Sequence, residues 1–195
     1  MLMKNLVLSI TRTRLFVGLG VAIATLSLLS GCASPARSDR MTVSNDFGQI
    51  SRTAANQQLK GNIGVEAVTG GRDTNPMWRS KVSSDAFQRA LEDSLRNAML
   101  LNPAFSSSRY QLTADLLDLS QPLTGANLDV SASIRYSLIE KSTRKEVYAR
   151  IIQTTHTAKW NDAFNFNDRL NIANEGAIRN NIQLVIDDLF KLNLQ

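Results

Sequence analysis

The chain has 195 residues with a single cysteine, Cys32, and a single histidine, His156, which excludes an internal disulfide and a Cys/His zinc site. Its formal charge is +5, but three of the 22 basic residues (Lys4, Arg12, Arg14) and no acidic residue lie before Cys32, so from Cys32 onward 19 basic residues face 17 acidic ones. That balance is too even for the concentrated basic face that nucleic-acid binding requires.

The first element is an export signal. Met1 to Arg14 is basic, and Leu15 to Gly31 (LFVGLGVAIATLSLLSG) is apolar and uncharged. A basic start, an apolar run and small residues at its end predict a secretory signal peptide over residues 1–31. The rival reading is an uncleaved membrane anchor, for which the run is short against the roughly 20 residues a spanning helix needs. The run ends in Leu29-Ser30-Gly31-Cys32. These four residues resemble the lipobox of bacterial lipoproteins. The resemblance implies cleavage after Gly31, a diacylglycerol in thioether linkage on Cys32, and an acyl group such as palmitate on the new amino terminus. Only a thiol offers a good nucleophile for that linkage, and small residues at Ser30 and Gly31 leave room for a peptidase. Each buried CH₂ contributes about 0.8 kcal/mol and stable anchoring takes more than one chain, so three chains hold firmly. Asp after the cysteine marks inner-membrane retention in the enterobacterial sorting pattern. Ala33 departs from it. This implies an outer-membrane anchor with the chain on the periplasmic side. Apart from the covalent lipid, no cofactor is expected.

Residues 32–58 are polar and read as a lipidated tether. As a flexible coil, about 26 residues span roughly 28 Å, less if Val43, Phe47 or Ile50 pack on the domain. Residues 59–195 form one domain. Leu59–Val68 is predicted as a strand, with Ile63, Val65 and Ala67 alternating. Thr69–Pro76 is a loop. Ser84 is the expected N-cap of a helix to about Leu101, whose stripe is Phe87, Ala90, Leu91, Leu95, Ala98 and Met99. Arg109–Leu119 is a strand whose phase breaks at Leu117, which suggests a bulge. Leu128–Leu138 alternates without a fault, the pattern of an antiparallel strand covered on one side. Glu140–Glu146 is a hairpin turn, Val147–Thr157 a fourth strand, and Asp168–Leu192 a long helix. The order β-α-β-β-β-α predicts an α+β fold: a four-stranded, mostly antiparallel sheet with two helices on one face. This order, with a helix like AFQRALEDSLRNAML and a strand like YQLTADLLDL, resembles the YajG-type envelope lipoproteins over Leu59–Leu192. The resemblance implies no enzymatic activity.

Catalytic chemistry is hard to assemble from these residues. A Ser-His-Asp triad would have to use His156, which falls on the fourth strand with Tyr148, Arg150, Ile152 and Thr154 and reads as a rim residue. Glu92-Asp93 and Asp187-Asp188 are helix neighbours that point about 100° apart. Asp115 and Asp118 flank the expected bulge. The glycines match no phosphate loop, and Gly70-Gly71 reads as a turn. The chain is therefore read as a non-enzyme. Candidate partner-binding residues are Arg135 on the polar sheet face, the hairpin cations Lys141, Arg144 and Lys145, and Trp78 and Trp160 at element ends. The expected partners are a membrane, through the lipid, and another envelope protein in lipid transport, lipopolysaccharide assembly or cell-wall synthesis. The alternative is a carrier holding a lipid or glycan between sheet and helices.

Overall fold

The computed structural model describes residues 33–44, 57–75, 77 and 79–194. The signal peptide, the lipobox residues Leu29, Ser30, Gly31 and Cys32, and Trp78 lie outside the described residues, as do Phe47 and Ile50. Four strands, β1 (Ile63–Thr69), β2 (Tyr110–Ser120), β3 (Leu128–Glu140) and β4 (Glu146–Ala158), form one open sheet in sequence order. β1 runs parallel to β2 and the other two pairings are antiparallel. Two parallel neighbours need a crossover, and α2 (Ser84–Asn97) supplies it. A short α1 (Ser38–Met41) precedes the sheet and α3 (Phe166–Lys191) follows it. None of the described helices is long and apolar enough to cross a membrane.

The strands follow the hydrophobic alternation with three slips. The break expected at Leu117 is a register shift between Leu116 and Asp118, which turns Leu117 outward. A second shift in β1 between Val65 and Ala67 corrects the simple alternation: Ile63, Val65 and Val68 are buried, and Ala67 is moved to the other face. A third lies where Leu138 pairs with Tyr148 and Ile139 with Glu146. After β1, Gly70 turns with φ of +79°, and a Cβ there would stand 2.2 Å from the Leu116 carbonyl oxygen. Glycine alone fits that turn.

Helix α2 starts one residue earlier in its capping than the sequence suggests. Ser83, not Ser84, is the N-cap, its Oγ accepting the Ala86 N–H at 3.2 Å. Ser84 Oγ instead accepts the Gly71 N–H at 3.1 Å. The helix stops at Asn97 rather than Leu101 because Met99 takes a left-handed φ of 57°. The chain then returns to β1, with Ile63 N–H donating to Leu100 O (3.1 Å) and Asn102 N–H to Ile63 O (2.7 Å).

One face of the sheet is covered. Leu112, Ile134, Tyr136 and Leu138 from the strands and Ile178, Ile182, Val185 and Leu189 from α3 are fully buried together. The segment at Ala33–Ser44, expected to belong to a polar tether, is instead seated on the domain. Met41 is fully buried, and Ala36 and Val43 nearly so. Val43 N–H donates to Ser94 Oγ (2.9 Å), Asn97 Nδ2 to Val43 O (2.8 Å) and Arg37 N–H to Glu175 Oε1 (2.9 Å). α1 thus lies against α2 and α3. Asn171, Asn174 and Glu175 of α3 are buried among polar partners, and Glu175 accepts the N–H of Arg37 at the start of α1.

Candidate functional site

The other face of the sheet is uncovered and polar. On β3 it presents Ser131, Ser133, Arg135 and Ser137, each flanked by residues of β2 and β4. Asp115 and Ile151 stand on either side of Arg135, Asp118 and Gln153 beside Ser133, Thr113 and Ala149 beside Ser137. Much of this surface is internally satisfied. Ser131 and Thr155 share a hydroxyl hydrogen bond of 2.7 Å, Thr69 Oγ1 donates to Asp115 Oδ1 at 2.8 Å, and Gln111 bonds Glu66. The Arg135 side chain is exposed and makes no hydrogen bond or ion pair among the described residues. Beside it, on the edge strand β4, Ile151 is 52 % exposed. The candidate surface is thus a free guanidinium next to an exposed aliphatic side chain, with Ser133 and Ser137 two positions away on the same strand face.

The hairpin cations are separated in their roles. Lys141 is half-buried: its Nζ lies 3.8 Å from the Phe105 ring centroid and donates to the Phe105 carbonyl, so it pins the short 3₁₀ turn at Phe105–Ser107. Arg109 pairs with Glu140 at 2.8 Å. Hydrogen bonds from Thr143 and then Arg109 hold the Glu140 carboxyl below the usual carboxylate range. Arg150, which on sequence stands near this cluster, pairs with Asp188 of α3 at 2.6 Å. Only Arg144, with its left-handed φ of 58°, and Lys145 remain outward. β3 is 13 residues long, so at about 3.3 Å per residue roughly 40 Å separates the hairpin from the end that carries Trp160. The partner-binding residues chosen from sequence therefore do not converge: Arg135 is on the open face, Arg144 and Lys145 at one end, Trp160 at the other.

His156 is half-buried against α3, and burial, then the Arg179 charge, lowers its pKa, with Asp162 opposing. Asp115 and Asp118 lie on opposite sides of the bulge. Asp115 accepts from Thr69, while Asp118 borders a hollow of about 150 Å³ with Arg72 and Lys81. Among the described residues no three His, Cys, Asp or Glu side chains are grouped to hold a metal. The other hollows described lie at the ends and edges of the domain and are lined largely by polar side chains, as in the 340 Å³ one between Arg109, Glu140 and Lys145. The space between sheet and helices, where a carried ligand would sit, is filled by the core side chains.

Sequence reasoning missed a polar chain that ties the amino-terminal segment to the domain. Ser34 O and Oγ accept from Asn171 Nδ2 (3.0 and 2.8 Å), Asn171 Oδ1 accepts from Ser80, and Gln121 Nε2 donates to Asn174 Oδ1 (2.8 Å) and Ser80 O (2.9 Å). Lys81 Nζ closes the chain on Gln121 Oε1 at 2.8 Å. Burial, with Arg79 and Arg72 nearby, lowers the Lys81 pKa. The available signal was Asn171 and Asn174, two of the five asparagines in the helix Phe166–Lys191, a position asparagine disfavours unless its amide is engaged.

No family model and no curated protein matches the sequence. Solved structures do share the fold. Protein XCC0632 from Xanthomonas campestris, of family model DUF330, matches with a TM-score of 0.51 at 14% identity, over 66% of this chain and 83% of its own. Protein CT253 from Chlamydia trachomatis matches with a TM-score of 0.50 at 10% identity, over 67% of this chain and 95% of its own. A candidate lipoprotein from Caulobacter crescentus CB15 matches with a TM-score of 0.49 at 14% identity, over 74% and 93%. At these identities the likeness concerns the fold.

Proposed function

We propose that the chain is a lipid-anchored envelope protein without enzymatic activity, held on the periplasmic side of the outer membrane by lipids on Cys32, and that it serves as an accessory subunit whose open sheet face docks a second envelope protein. The observation that carries this reading is Arg135, unpaired among the described residues, beside the exposed Ile151 on an otherwise uncovered sheet. Tethering would raise the effective concentration of the docking face at the membrane without any added contact. The filled core gives the carrier alternative no support.

The test is the native size of the chain extracted from membranes in mild detergent. Arg135→Glu should release it from a larger complex while leaving thermal stability within about 0.5 kcal/mol, as expected of an exposed substitution. Identical migration of wild type and Arg135→Glu would contradict the docking face. The anchor is tested separately: fatty-acid labelling should be present in the wild type and absent from Cys32→Ser.

A further inference from the structure

The four most exposed large hydrophobic side chains among the described residues are Phe164 (104 %), Met77 (89 %), Leu123 (78 %) and Trp160 (69 %), and the next is Ile151 at 52 %. All four belong to loops at one end of the sheet, where β1, β2 and β4 finish and β3 begins. The loops are tied to one another and to α3. Arg79 donates to the carbonyls of Pro122 (3.1 Å) and Leu123 (3.2 Å), Trp160 N–H to Asn127 Oδ1 (3.1 Å), and Arg169 to the carbonyls of Ala163 (2.9 Å) and Phe164 (3.1 Å). The described chain also begins at this end. Ser34 is bonded to Asn171 in the first turns of α3, and it shares a hollow of about 310 Å³ with Asp162 and Ala163 of the Trp160–Phe164 loop. Ala33 is the residue after Cys32.

Singly scattered apolar side chains on a surface need no explanation. Four of them at the tips of loops, beside the point where the lipobox cysteine joins the domain, do. Asp73, Asp162 and Asp168 stand at the same end as Arg72, Arg79, Lys81, Lys159 and Arg169, so among these groups cations outnumber carboxylates by two, an attraction to anionic headgroups that adds to the apolar contact. Asp162 is engaged by the Lys159 N–H at 2.7 Å. The apolar tips, with an indole suited to the boundary between acyl chains and water, are what would insert.

We infer that this end of the domain is a membrane-contact tip that presses Met77, Leu123, Trp160 and Phe164 into the surface of the phospholipid bilayer, an inference that rests on the lipid-anchor reading. In that pose the domain stands upright. The hairpin cations Arg144 and Lys145 lie roughly 40 Å from the bilayer along β3, and the open sheet face stays free for a partner.

The experiment uses the full chain matured in membranes, with Trp78→Phe so that Trp160 is the sole tryptophan, reconstituted into phosphatidylethanolamine–phosphatidylglycerol vesicles containing brominated lipid. The mass of the amino-terminal peptide first establishes whether Cys32 carries lipid. Should its thiol be free, the anchor reading fails, and the same thiol is coupled to a maleimide lipid so that the tip is still measured. The inference predicts a blue-shifted Trp160 emission, quenching by brominated lipid and protection from iodide. These signals should be lost in Leu123→Ser/Phe164→Ser, whose substituted side chains are exposed. A tethered chain whose Trp160 iodide reaches and brominated lipid does not quench would overturn it.

Discussion

The imidazole of His156 on β4 occupies the space that a side chain at position 176 of α3 would need: a Cβ built on Gly176 would stand 2.2 Å from His156 Cδ2 and 2.3 Å from Cγ. Helix and strand therefore approach more closely here than a side chain on both partners could allow. Glycine inside a helix is ordinarily a cost of about 1 kcal/mol relative to alanine. Gly176→Ala should nonetheless destabilise the domain by about 1–3 kcal/mol through overpacking. In a His156→Ala background the same substitution should become neutral or stabilising. Urea unfolding of the four proteins measures the reversal, and a Gly176→Ala that stabilises the wild type would deny the close packing.

The same contact sets a pH dependence. Burial first, then Arg179, lower the His156 pKa, while Asp162 pulls the other way. The folded chain thus favours the neutral imidazole. Its contribution is fully present above the unfolded value near 6.5 and is lost as pH falls through that value towards the lower folded one. Melting temperatures between about pH 5 and pH 7.5 should fall more steeply with acid in the wild type than in His156→Asn. Equal slopes would mean that the ring is solvated in the folded chain.

Met41 tests whether the amino-terminal segment is part of the domain. Its side chain is fully buried, and α1 lies against α2 and α3. Met41→Ala should cost about 2–5 kcal/mol, the range for a large-to-small change in a core. A tether residue would change stability hardly at all, so a denaturation midpoint that does not move would return Ala33–Ser44 to the linker.

Tyr136 gives a prediction of the opposite sign. It is fully buried on β3, and its hydroxyl has no hydrogen-bond partner among the described residues. Burial, then Tyr148, raise its pKa well above the ordinary tyrosine value. Removing an unsatisfied hydroxyl should be neutral or should stabilise by about 1 kcal/mol. Calorimetry on Tyr136→Phe checks this, and a drop in melting temperature would point to a partner that the hydroxyl finds in the folded protein.

The sheet was legible because its signal is local. Alternation from Leu128 to Leu138 fixes which side of β3 is buried, and the lapse of phase at Leu117 is enough to mark the bulge in β2. Position along the chain was less well marked where tertiary contacts override it. Met99 ends α2 early because the residues after it are drawn back to pair with β1. Nothing local distinguishes Ser83 from Ser84 as a cap. The amino-terminal segment reads as a tether although its polarity is used rather than solvated: Ser34 and the Arg37 N–H meet Asn171 and Glu175 of α3, more than 130 residues away in sequence. The candidate surface was half legible. Arg135 followed from the strand's phase, but the pairing of Arg150 with Asp188 and of Lys141 with Phe105 depends on neighbours that the sequence does not bring together.

The central claim is that the uncovered sheet face meets another protein, and its most direct measurement is photocrosslinking in intact cells. A photoreactive residue replaces Ser133, two positions from Arg135 on that face, and a second chain carries it at Leu184, exposed on α3. A discrete heteromeric band from position 133, absent from position 184 and lost on Arg135→Glu, is the predicted result. No protein band from position 133, or a band of only twice the chain's own mass, would contradict the account.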